Sequence, residues 1–130
     1  MKSGKFAVFY HLHVNEPHRW QTLYQAQMGA LWLTGLADAA QDVFICCNGD
    51  LDQVAGPPGA ICLENPPSNE ETPTLRKLHA WCVDNPDTGV LYFHSKGSSA
   101  LGTPRSTFVE DWRLNMEYFV LHNWESCIDY

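Results

Sequence analysis

The chain has 130 residues and a formal net charge of -7, with 45% hydrophobic residues and five tryptophans, enough for one packed core and too apolar for a disordered tail. Eight scattered Lys and Arg residues argue against nucleic acid as a partner, because that footprint needs clustered positive charge to replace counterions. No apolar run approaches the roughly 20 residues of a membrane span, and the stretch after Lys5 is broken by His11, His13 and Asn15, unlike a signal peptide, so a cytoplasmic protein is expected.

In chain order, Phe6 to Val14 reads as a first strand whose end gathers His11 and His13. Asn15-Glu16-Pro17 supplies a cap and first-turn proline for a helix with Trp20, Leu23, Tyr24, Met28 and Leu31 on one stripe, Gly29 and Gly35 blurring its end. Val43 to Cys47 is a second strand, closed by the turn signal Asn48-Gly49-Asp50. Gln53 to Gly59 is loop, and a third strand from Ala60 to Leu63 is stopped by Pro66-Pro67. Thr72-Pro73 opens a helix carrying Leu75, Leu78, Trp81 and Cys82, ended by Asn85-Pro86.

Val90, Leu91, Tyr92 and Phe93 then form a short apolar run read as a buried strand at the centre of the sheet. After a loop from Gly97 to Pro104, apolar residues at Val109, Trp112, Met116, Phe119, Val120 and Trp124 predict one helix from about Phe108 to Cys127. Arg113 and Glu117 on it read as a solvated i,i+4 pair. This alternation implies an α/β fold: a Rossmann-like, three-layer, mostly parallel sheet of about four strands.

Chemistry concentrates at His94-Ser95-Lys96, the polar end of the last strand, because ligands of open α/β sheets bind outside the carboxyl ends of the strands. Lys96 beside a Gly-Ser loop could meet a diphosphate, with Ser95, Ser98 and Ser99 donating to its oxygens; the P-loop spacing is absent. Asp50-Leu51-Asp52 has the form of a divalent-cation motif, although turn preference alone accounts for it. Asn48 and Asp50 could instead touch a base or ribose. His11 and His13 share one strand face but have no third ligand and read as pocket wall. Arg105 is the arginine best placed to reach a ligand. The five cysteines, odd in number and without Cys-x-x-Cys spacing, favour neither disulfides nor zinc.

The stretch Tyr92-Phe93-His94-Ser95-Lys96-Gly97, the later run from Asp111 through Trp112-Arg113 to Phe119, and Trp124 to Ile128 together resemble small GT-A-type glycosyltransferase-like proteins. In these a strand ending His-Ser/Thr-Lys is followed by a helix beginning Trp-Arg; a similar His-Thr-Lys occurs in rhamnan-synthesis-type proteins. The resemblance implies a nucleotide-diphosphate sugar as ligand. Lys96 and Arg105 would hold its diphosphate, His94 and Ser95 would orient the donor, and Tyr10, His11, Asn48 and Asp50 would contact base or ribose. A companion Mn2+ or Mg2+ is what such domains commonly use, but His94-Ser95-Lys96 stands where their metal-binding Asp-x-Asp lies, and Lys96 could neutralise the diphosphate instead. Nothing matches the acceptor-binding half of those proteins, so the resemblance also implies a truncated GT-A domain that covers its exposed surface by homo-oligomerisation. Two rivals remain open: a non-catalytic binding or assembly module, and a metal-dependent hydrolase using His11, His13 and Asp50.

Overall fold

The computed structural model describes residues 5–14, 20–67, 70–95 and 106–128. Four strands, β1 (Phe6–His13), β2 (Asp42–Asn48), β3 (Ile61–Asn65) and β4 (Gly89–His94), form one sheet in the order β3-β2-β1-β4, with every pairing parallel. The helices are α1 (Trp20–Leu33), α2 (Leu36–Ala39), α3 (Thr72–Asp84), α4 (Ser106–Glu117) and α5 (Trp124–Ile128). This is the expected Rossmann-like three-layer α/β arrangement.

Alternation along β1 sorts the core into two layers. Phe6, Val8, Tyr10 and Leu12 pack with Trp20, Tyr24, Met28 and Leu31 of α1 and with Leu121, while Ala7 and Phe9 pack with Cys46 and, on α3, with Leu78 and Trp81. All β1 residues but His13 are buried, as a strand flanked on both edges and covered on both faces requires.

The centre of the sheet is therefore β1, not the Val90–Phe93 run. β4 pairs only with β1 among the described strands, and within it only Phe93 is buried while Gly89 is exposed. An apolar run reports burial of side chains, whereas position in the sheet depends on which crossovers turn back.

Between β2 and β3 no α-helix forms. A 3-10 turn (Leu51–Gln53) and an extended segment take its place, held to α1 by Tyr24, whose hydroxyl donates to the Ala55 carbonyl at 3.1 Å. The segment lies so close to β3 that a Cβ on Gly56 would stand 2.6 Å from Cys62 Sγ.

Three other expectations are corrected. The predicted C-terminal helix is broken by a π-helical turn (Tyr118–His122) and Asn123 before α5; Leu121 lies in the core, while Trp112 and Phe119 are 66% and 61% exposed. The extra residue in that turn rotates the chain beyond it, so a single 3.6-residue stripe no longer describes the inward face. Leu75 is exposed and Thr74 buried in its stead. Arg113, expected in solvent, is buried beside α1, with Glu110 at 3.6 Å and Glu117 at 3.7 Å.

Candidate functional site

Because the strands are parallel, their polar ends meet at one edge. His13 stands opposite Asn48, Asn48 opposite Asn65, and His11 opposite His94. α3 follows β3 and so begins at this same edge. On its face the side chains form a closed network around Thr74.

Thr74 Oγ1 accepts from Asn65 Nδ2 at 2.8 Å and lies 2.7 Å from His11 Nδ1. The hydroxyl thus links Asn65 to His11, whose Nδ1 is donor or acceptor according to the tautomer of the ring. The other Asn65 amide hydrogen goes to Asn48 Oδ1 at 2.8 Å, Asn48 Nδ2 donates to the Glu70 carbonyl at 2.7 Å, and Lys77 donates to Asn65 Oδ1. Each carboxamide is thus fixed in orientation. Burial, with lesser contributions from His94 and His13, lowers the His11 pKa to about 4 against an opposing pull from Glu71, so the imidazole is neutral at pH 7.

Beside this network, Glu71 accepts a hydrogen bond from the Tyr92 hydroxyl through Oε2 and lies 3.3 Å from His94 Nδ1 through Oε1. The Tyr92 and His94 rings are nearly parallel, at 6° and 6.1 Å between centroids. Burial, then the bond to Glu71, raises the Tyr92 pKa, keeping the phenol protonated. A carboxylate at Nδ1 favours the tautomer with its lone pair on Nε2, the form suited to accepting a proton.

The opposite face holds Tyr10 and Ser95. Tyr10 is fully buried and donates to Gln27 Oε1 at 2.6 Å, and Gln27 Nε2 donates to the His94 carbonyl at 3.3 Å. Ser95 is buried; its hydroxyl accepts from the His13 backbone N–H at 3.1 Å, while its own N–H reaches the His11 carbonyl at 3.0 Å. Both therefore tie β1 to its neighbours.

Of the predicted site residues, His11, Asn48 and His94 come together on the α3 face, while Tyr10 and Ser95 turn to the other. Asp50 accepts from the Asp52 backbone N–H at 3.0 Å and caps the 3-10 turn. Lys96 and Arg105 lie outside the described residues. Among the described residues no three His, Cys, Asp or Glu side chains are grouped to hold a metal, so these residues do not by themselves fit a Mn2+ or Mg2+ ion.

Glu71, Thr74, Asn65 and Lys77 were not singled out from sequence, and Tyr92 was read there only as a strand residue and the start of the His-Ser-Lys stretch. The available signals were slight: Asn65 directly after a strand, and Thr74 in the first turn opened by Thr72-Pro73. Cys46 and Cys47 are buried, and burial pushes both thiols up to about 11, which removes them as nucleophiles at neutral pH.

No curated protein and no solved structure matches the chain. The model of one family, described as Domain of unknown function (DUF8361), matches residues 9–128, nearly the whole chain, and the protein belongs to that family.

Proposed function

We propose that this protein is a glycosyltransferase-like domain that binds a nucleotide-diphosphate sugar at the carboxyl edge of its sheet. The observation that carries the reading is the parallel order β3-β2-β1-β4, whose direction reverses at β1, together with the gathering of His11, Asn48, Asn65, Glu71 and His94 at that edge. Sheets of this order bind nucleotides outside their carboxyl ends. Lys96 and Arg105 supply charge for the diphosphate, and His94, steadied by Glu71, faces the donor. Tyr10 and Ser95 support the site from beneath.

Calorimetric titration with uridine, guanosine and adenosine diphosphates, with and without Mn2+, tests this. One of them is expected to bind, and Lys96→Ala to weaken it by about tenfold, the loss of one charged hydrogen bond. Absence of binding for all three at millimolar concentration would sink the proposal. Binding without sugar transfer would favour the non-catalytic reading, which the internal engagement of His11 by Thr74 and of Glu71 by Tyr92 and His94 already supports.

Self-association belongs to the same reading. The outer edge of β4 has no strand partner among the described residues, and such edges invite pairing with another chain.

A further inference from the structure

Between the first two turns of α1 and the body of α4 lies a cavity of about 320 Å³, within the range of small-molecule sites. From α1 it is lined by Thr22, Leu23 and Ala26, and from α4 by Glu110, Arg113, Leu114 and Glu117. The side chains of Arg113 and Glu117 are only 11% and 15% exposed. Arg113 Nε stands 3.7 Å from Glu117 Oε1, and Arg113 Nη2 stands 3.6 Å from Glu110 Oε1. Each pair is close enough to balance charge and too far apart for a hydrogen bond. No hydrogen bond from a described residue reaches the Arg113 guanidinium, although charges this buried are ordinarily hydrogen-bonded as well as paired. A cavity and a buried guanidinium with donors to spare thus meet in one place.

The groups that line the cavity select its occupant. A phosphate would gain Arg113 but face the carboxylates of Glu110 and Glu117, and a metal cation would gain the carboxylates but face the guanidinium. A hydroxyl meets both, accepting from Arg113 while donating to Glu117. Neighbouring hydroxyls on one ring do this at several points, Thr22 offers a further hydroxyl, and Leu23 and Leu114 give the C–H face of such a ring an apolar support. A sugar has that composition. The position agrees with it, because α1 leaves from the carboxyl edge of the sheet. The pKa of Tyr10 on β1, raised chiefly by burial, responds also to Glu117 and Arg113, which sets the charged pair near the carboxyl half of β1. The cavity therefore lies on the α1 side of the edge at which the nucleotide is proposed to bind.

We infer that the cavity between α1 and α4 binds a neutral sugar ring, Arg113 donating to its hydroxyls and Glu117 accepting from them, and that this sugar is the acceptor of the proposed transfer. Its role as acceptor rests on the glycosyltransferase reading; the demand for hydroxyls does not.

Nuclear magnetic resonance of the 15N-labelled chain reads the contact through the Nε–H signals of Arg19, Arg76, Arg105 and Arg113, with that of Arg113 assigned by Arg113→Lys. Glucose, galactose, mannose and rhamnose are titrated separately into the millimolar range, with glycine and inorganic phosphate alongside. At least one sugar is expected to move the Arg113 signal saturably. Glu117→Gln, which keeps the shape, should weaken that sugar by about tenfold, and Glu110→Gln by about threefold. Glu110 is exposed, so the second variant decides should the first fail to fold. An Arg113 signal unmoved by all four sugars overturns the inference, as does unchanged affinity in the folded variants. Movement with glycine alone assigns the cavity to a zwitterion, and with phosphate alone to an anion; either overturns it. A sugar displaced by a saturating nucleoside diphosphate occupies the donor's place, which overturns the acceptor assignment. If a nucleoside diphosphate binds by calorimetry while every sugar leaves Arg113 unmoved, this inference fails and the proposed function stands. If sugars move Arg113 and no nucleoside diphosphate binds, the cavity stands and the proposed function fails.

Discussion

His11 carries a proton cost that the rest of the site is built around. Its folded pKa is about 4 against an ordinary 6.5, so between those values the unfolded chain binds a proton that the native chain refuses. Stability is thus fully present above about pH 6.5 and is lost as pH falls towards 4, by about 2 to 3 kcal/mol for this residue alone. Urea unfolding at pH 7.5 and pH 4.5 should show that loss in the wild type, and a smaller one in His11→Asn; equal losses in both would refute it. Thr74 is the companion case. Thr74→Val keeps the shape but strips the partner from His11 Nδ1 and from one Asn65 hydrogen, and we expect it to cost about 2 to 4 kcal/mol, the sum for two buried groups left unpaired. A denaturant midpoint within error of the wild type would show that water replaces the hydroxyl.

Among the elements, the turn after β2 and the body of α1 make opposite demands on glycine. Gly49 has φ +123°, and a Cβ there would lie 2.8 Å from Val14 Cβ, at the point where the Val14 N–H donates to the Asn48 carbonyl at 2.9 Å. Gly49→Ala should destabilise by about 1 to 3 kcal/mol, from backbone strain with the clash added. Gly29 lies within α1, and a Cβ on it would meet nothing within 4 Å; Gly29→Ala should stabilise by about 0.5 to 1 kcal/mol through helix propensity. Thermal melts of the two variants shifting in the same direction would contradict this assignment.

For the molecule as a whole, two features bear on self-association: the outer edge of β4, which has no strand partner among the described residues, and the exposed aromatics Trp112 of α4 and Phe119 of the π turn. Leu114 lines a cavity with Thr22, Leu23 and Ala26 of α1. At about 100° per residue Trp112 falls on the opposite flank of α4, and Phe119, two turns on, is exposed as well. We expect light scattering at micromolar concentration to give a dimer, and Trp112→Glu combined with Phe119→Glu to give a monomer. A wild-type monomer would remove self-association from the proposed function. No helix among the described residues is long and apolar enough to cross a membrane.

The sequence by itself determined the class of fold and the edge where polar groups collect. Both are written in short-range signals: runs of Phe, Val and Ile between Gly and Pro breaks for strands, the Trp20 to Leu31 spacing for α1, and the polar residues that end β1, β2 and β4. Alternation along β1 and at the end of β4 already sets Tyr10 and Ser95 on the face opposite His11 and His94; tertiary structure alone decided that β1 and not β4 is central, that α3 covers the His11 face, that Arg113 is buried, and that Glu71, Thr74 and Asn65 complete the network. His11 meets Thr74 across 63 positions of chain, and His94 meets Glu71 across a whole crossover. Such partners are set by how the connections return over the sheet, and no local periodicity encodes that.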